Sequence, residues 1–172
     1  GRVEELIARM FEPLGRRSAG GVDEIHDALS MMETDVVETI VLDARKLQGF
    51  RDAARGALAR AEGAGAADPH DLVKLREARN LAQACDLVYA SALDRTESRE
   101  QFYRADYPLT DDENWFVWHG VTRTAEDGLG FDRAKIPPGQ RFAPPLRGKH
   151  PSAIAAIMAG DYDHRVYDEA AQ

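Results

Sequence analysis

The chain has 172 residues, with 22 Lys plus Arg against 30 Asp plus Glu, a formal net charge of −8. Its 44% apolar and 30% charged content is that of a folded globular protein, and the length suits one domain, or one domain with an appended tail. No apolar run approaches the ~20 residues that span a bilayer, the acidic balance argues against a phosphate-backbone binder, and a single cysteine, Cys85, excludes an internal disulfide or a multi-thiolate metal site.

The first residues, Gly1-Arg2-Val3-Glu4-Glu5, hold no apolar signal stretch. The missing initiator Met reads as a processed chain or a fragment. A short helix is predicted from about Arg2 to Phe11, with Val3, Ile7, Met10, Phe11 and Leu14 on one face. Gly15 and Gly20-Gly21 end it. From about Val22 to Glu62 the apolar positions Ile25, Leu29, Met32, Val36, Ile40, Ala44, Leu47, Phe50, Ala54 and Leu58 recur every ~3.7 residues. That spacing predicts one long amphipathic helix or two nearly collinear ones, with Gly49 and Gly56 as places for a bend. Glu62-Gly63-Ala64-Gly65 supplies the stop.

Asp68-Pro69-His70-Asp71 then reads as a helix start, with Asp68 as cap and Pro69 in the first turn. The third helix carries Leu72, Leu75, Ala78, Ala82, Cys85, Tyr89 and Ala92 at steps of three and four. A short loop between long amphipathic helices makes them antiparallel. The expected fold is therefore mainly α: an antiparallel three-helix bundle over residues 1–98, followed by an extended segment over 99–172. Six of the eight prolines lie in that second part and forbid long helices there. Trp115 to Thr122 is rich in strand formers, and Gly128-Leu129-Gly130 could fold it into a short hairpin with Phe131. Ile136 to Leu146 reads as extended, and Ser152 to Ala159 as a last short helix.

The most informative stretch runs from Glu97 to Trp115. It packs Arg99 and Arg104, several carboxylates and the aromatics Phe102, Tyr103 and Tyr107 where helix gives way to extended chain. Arginine offers a planar five-donor fork that suits carboxylates and loose backbone carbonyls. Pro108 pushes Tyr107 towards an extended conformation. One reading is a pinned corner whose arginines satisfy carbonyls at a helix end. The other is a docking face for a partner domain or an anionic ligand. Ionic networks more often hold structure than bind ligands, which favours the corner.

Ser98-Arg99, Arg104, Asp106-Tyr107-Pro108, Asp111-Asp112 and Trp115 resemble the late motif of the succinate dehydrogenase/fumarate reductase flavoprotein family, which includes L-aspartate oxidase and the adenylylsulfate reductase flavoprotein subunit. That motif runs roughly Ser-Arg-Gly-x-His-x-Arg-x-Asp-Tyr/Phe-Pro, then Asp-Asp and Trp, in the C-terminal helical domain. Here Glu100 replaces the Gly, and Phe102 stands where the family often has His. Asn114-Trp115-Phe116-Val117 tilts the likeness towards adenylylsulfate-reductase-like members. The resemblance implies a spectrin-repeat-like bundle with an extended tail. It also implies FAD in the full-length protein or a partner, and a scaffolding role towards the FAD-binding and capping domains of the same protein or of a partner subunit. An iron–sulfur subunit would be a further partner. Localisation would be cytoplasmic, with any membrane association made through partners. Arg99, Arg104, Asp106, Tyr107, Pro108, Asp112 and Trp115 would form the interdomain contact, with Trp118 adding buried area. No catalytic, cofactor-binding or metal residue is assigned to this chain.

Gly63-Ala64-Gly65-Ala66-Ala67-Asp68 follows a predicted helix instead of a strand and lacks the third Gly of a dinucleotide fingerprint. Asp161, Asp163, His164 and Asp168 are close in sequence but match no established cation loop. Cys85 reads as a buried small hydrophobe. His119 and His150 read as surface or hydrogen-bonded core residues. The alternative function is a free-standing helical interaction module with no redox role. A small independent enzyme would have only the Arg/Asp/Tyr cluster to stand on.

Overall fold

A computed structural model describes residues 2–15, 22, 25, 41–124, 128–137 and 146–160. The described chain is mainly helical, with small two-stranded sheets. In order it forms α1 (Arg2–Phe11), β1 (Val41–Leu42), α2 (Ala44–Gly63), α3 (Pro69–Asp94), β2 (Tyr103–Arg104), β3 (Leu109–Asp111), α4 (Asp112–Trp115), β4 (Val117–Arg123), β5 (Leu129–Lys135), β6 (Lys149–Pro151) and α5 (Ala153–Ala159). Two compact units divide it: residues 1–39 with 45–90, and residues 40–44 with 91–172.

In the first unit α2 and α3 run antiparallel. Phe50 meets Tyr89 with ring centroids 5.6 Å apart, Arg51 pairs with Asp86 at 2.8 Å, and Glu62 near the other end meets Arg79. Their shared core is built from small residues: Ala57 and Ala61 of α2 lie with Leu75, Ala78 and Ala82 of α3, alongside Val22, Ile25 and Ala64. Alanine at the contact positions lets two helix backbones approach closely with little side-chain entropy to lose. The predicted start of α3 is present: Asp68 Oδ1 accepts the Asp71 amide at 2.9 Å. Cys85 is half-buried, less than its place on the stripe suggested.

One expectation is corrected. The second apolar stripe is not one uninterrupted helix, because Val41 and Leu42 are extended and pair in parallel with Tyr103 and Arg104. Its part before Val41 lies outside the described residues, apart from Val22 and Ile25. Periodicity alone could not see the break, since β-branched Val41 fits a helix face as readily as a strand. The helix resumes at Ala44, whose free amide is bonded to Asp106.

The second unit is organised by small ladders. β3 pairs antiparallel with β6 in the register Leu109↔Pro151 to Asp111↔Lys149. β4 and β5 form the hairpin, with Val117↔Lys135 through Arg123↔Leu129. Strand alternation sends His119, Val121, Phe131 and Arg133 to one face, and Trp118, Gly120, Asp132 and Ala134 to the other. α5 starts where Ser152 Oγ accepts the Ala155 amide and stops at Gly160 in the left-handed region. Most of the predicted extended stretch, 138–145, lies outside the described residues.

Candidate functional site

The motif folds into one buried corner of the second unit. α3 ends at Asp94, leaving its last carbonyls without helical partners. Arg104 meets them: Nη1 donates to Ala92 O at 2.7 Å and to Arg95 O at 3.0 Å. Its other edge grips Asp106 in a bidentate pair, Nε to Oδ1 at 2.7 Å and Nη2 to Oδ2 at 2.5 Å. Asp106 Oδ2 also accepts the Ala44 amide at 3.2 Å, at the start of α2. One guanidinium–carboxylate pair therefore closes the end of one helix and the beginning of another. Arg104 is 1% exposed. The hydrogen bonds from Arg104, working against desolvation, hold the Asp106 carboxyl below the usual aspartate range.

Ser98 sets the backbone path. It is fully buried, its amide donates to Leu109 O at 2.9 Å, and its hydroxyl accepts the Arg104 amide at 2.8 Å while donating to Tyr107 O at 2.7 Å. Thr110 Oγ1 returns a bond to Ser98 O at 2.6 Å. Between these anchors Tyr107, Pro108 and Leu109 are exposed, Tyr107 at 42% with its ring centroid 5.0 Å from the Arg104 guanidinium carbon.

A second hub is Glu97, 0% exposed. Its carboxylate accepts Arg99 Nε and Nη2 at 2.9 Å each, the Asp111 amide at 2.9 Å, and Arg95 Nη1. Arg99 Nη2 also donates to Asp112 Oδ1 at 2.8 Å, and Asp112 Oδ2 accepts the Arg147 amide at 3.0 Å. Burial opposes the charge on Arg99, but its bonds to Glu97 and Asp112 outweigh it and raise its pKa. Burial likewise opposes the charge on Asp112, yet the Arg147 amide and Arg99 hold that carboxyl low. Asp111 is also held low against burial, by Asn114 and Lys149.

Trp115 is buried, its indole N–H donating to Thr96 Oγ1 at 2.9 Å. Arg133 lies 4.1 Å and Arg95 5.1 Å from its ring centroid. His119 Nε2 and Arg133 Nη2 both reach Asp94 Oδ2, at 2.9 and 2.7 Å, which ties the hairpin to the last residue of α3. Trp118 is 62% exposed; unlike Trp115, it anchors nothing.

The structure thus brings Arg99, Arg104, Asp106, Asp112 and Trp115 into the corner and leaves Tyr107 and Pro108 at its surface. Sequence reasoning missed Glu97, Asp94 and Arg133. For Glu97 and Arg133 no local signal existed. For His119 the sequence left a surface and a hydrogen-bonded core reading open, and its bond to Asp94 favours the second. Glu100 has φ +50° in the tight turn closed by the reciprocal Arg99 and Phe102 backbone bonds. That is the left-handed backbone glycine adopts most easily, and it explains why the motif carries Gly at this position.

No group of three or more His, Cys, Asp or Glu among the described residues is arranged to hold a metal. Asp161, Asp163, His164 and Asp168 lie outside those residues. The Gly63-Ala64-Gly65 segment does not fit a flavin pyrophosphate. A helix precedes it, the Ala66 amide is bonded to Pro13 O at 2.8 Å, and the Ala67 amide faces Asp71. The amides a phosphate would need are already taken.

Residues 67–141 match the family model for the fumarate reductase flavoprotein C-terminal region. No curated protein matches the chain. Among solved structures, adenylylsulfate reductase from the hyperthermophilic Archaeoglobus fulgidus aligns at 22% identity and a TM-score of 0.53, over 59% of this chain and 16% of that one. A variant of quinol fumarate reductase FrdA from E. coli aligns at 16% identity and a TM-score of 0.68, over 85% of this chain and 26% of that one. At these identities the likeness is one of fold, and the chain spans about a quarter or less of each relative. The family expected from the motif is the one that matches.

Proposed function

We propose that this chain is the C-terminal helical domain, or an equivalent separate subunit, of an FAD-dependent oxidoreductase; the match of residues 67–141 to the fumarate reductase flavoprotein C-terminal model supports this reading. In this reading residues 1–98 form a spectrin-repeat-like three-helix bundle. Residues 99–172 pack as an extended segment on it and on a partner domain. The FAD-binding and capping domains are those partners, with an iron–sulfur subunit as a further one. Flavin and the reaction with an anionic substrate belong to them. The whole assembly would be cytoplasmic.

One observation supports a scaffold over a catalytic part: the motif spends its charges on itself. Arg99 is held by Glu97 and Asp112, and Arg104 by Asp106 and the carbonyls of α3. What the motif offers outward is the loop Tyr107-Pro108-Leu109, fixed from behind by Ser98. A rigid apolar loop gains interface area at low entropic cost.

The experiment is co-purification of the tagged full chain with its partner, read by visible flavin absorbance. A flavin-bearing partner whose association weakens about tenfold in Tyr107→Ala, with a smaller fall in melting temperature than Arg104→Met causes, is the expected result. A partner without flavin would favour the interaction module. That second reading draws on α1, where Val3, Leu6, Ile7, Met10 and Phe11 are all exposed along one helix.

A further inference from the structure

The hairpin has two unlike faces. The inner one is spent: His119 and Arg133 bind Asp94, and His119 stacks on Phe131 at 5.4 Å. The outer one carries Trp118, Gly120 and Thr122 on β4 opposite Ala134, Asp132 and Gly130 on β5. Trp118, at 62% exposed, is a large apolar group left in water beside an exposed carboxylate, Asp132. The two are diagonal cross-strand neighbours, which places them about 7–8 Å apart. Between their Cα positions stands Gly120, which has no side chain of its own. A Cβ on Gly120 would sit 2.3 Å from Asp132 Oδ1, so the carboxylate lies across the Gly120 Cα.

We infer that this outer face is a docking surface for an extended, arginine-bearing segment of a partner polypeptide. The chemistry is charge complementarity of two kinds at one spot. An indole face attracts a cation through its quadrupole, and guanidinium is the cation that also stacks flat on it. The same planar fork can donate to a carboxylate lying to one side. Gly120, having no Cβ, leaves the room in which the Asp132 carboxylate sits beside the indole. Both long edges of the two-stranded ribbon are unpaired among the described residues, and a third strand is what such a ribbon lacks. The inference stands whether or not the partner bears flavin, since it concerns the chemistry of what covers Trp118.

The test uses the full chain and a short extended peptide with one central arginine between β-branched residues. The Trp118 indole resonance is followed by NMR at millimolar peptide. The expected result is a saturating shift of Trp118, with the buried Trp115 indole unmoved. Binding should weaken at least about threefold in Asp132→Asn and on raising salt. The shift should vanish when citrulline replaces arginine, and in Trp118→Leu the peptide should no longer shift the backbone amides of β4 and β5. Gly120→Ala, which displaces the carboxylate, should weaken binding as Asp132→Asn does. Equal response to the citrulline peptide, an unaffected Asp132→Asn, or no shift at all would overturn the inference. So would concentration-dependent dimerisation abolished by Trp118→Leu, which would assign the face to a second copy.

Discussion

At the scale of single residues the corner is held by groups that gain their worth from having no water to turn to. Arg104 has traded its solvation for Asp106 and two helix-end carbonyls, so removing it strands several polar groups at once. Arg104→Met should cost about 1–3 kcal/mol in a urea titration, from the helix-end carbonyls left without a donor, since Asp106, with 31% of its side chain exposed, can rehydrate. Asp106 titrates below an unfolded aspartate because of Arg104. Its contribution is therefore complete above the unfolded pKa and lost as pH falls through the lowered folded one. Urea midpoints measured from neutral pH into the acid range should fall less steeply in Asp106→Asn than in the parent. Asp111 and Asp112, also held low, retain the rest of the acid sensitivity. Glu100 is the opposite case, a residue in a backbone conformation that suits it poorly. Glu100→Gly should raise stability by about 1 kcal/mol, seen as a higher melting temperature, because φ +50° no longer meets a Cβ.

At the scale of elements the helices were legible because their signals are local. The α1 and α3 spans agree with the spacing of apolar residues and with the Asp68-Pro69 start. Asp68→Ala should cost about 1 kcal/mol, with the loss in helix stability read by circular dichroism during urea unfolding, since the Asp71 amide would lose its acceptor. The hairpin was legible from its strand formers, but its turn was not: Leu129 and Gly130, read as part of the turn, pair within β5 with Arg123 and Thr122. The break at Val41 and Leu42 was not legible. It depends on Tyr103 and Arg104 arriving alongside, about sixty residues later in the chain.

At the scale of the whole molecule the motif has two kinds of member, and variants should separate them. Arg104→Met should lower stability and partner association together. Tyr107→Ala should lower association more than stability, because Tyr107 is 42% exposed and its backbone stays tied to Ser98 and Arg104, while only its ring contact with the Arg104 guanidinium is lost from the corner. Calorimetric melting and partner affinity, measured on both variants, distinguish a scaffold that presents a surface from one that makes the contact with its charges. The net charge of −8 says that an acidic chain presents these surfaces, which is compatible with an arginine-bearing partner.

Local chemistry settled where α1 and α3 run, which residues form their apolar stripes, and which family the Glu97–Trp115 stretch resembles. Those properties depend on neighbours within a few positions, so reading along the chain suffices. Tertiary structure alone decided that Arg104 closes α3, that Glu97 is a buried hub, that Trp115 is enclosed by two arginines, and that Trp118 faces water. Partners in the corner lie up to 62 positions apart, as Ala44 and Asp106 do. Such distant partners are chosen by the path of the backbone and by the cost of leaving a buried charge unpaired, and neither is written in residue spacing.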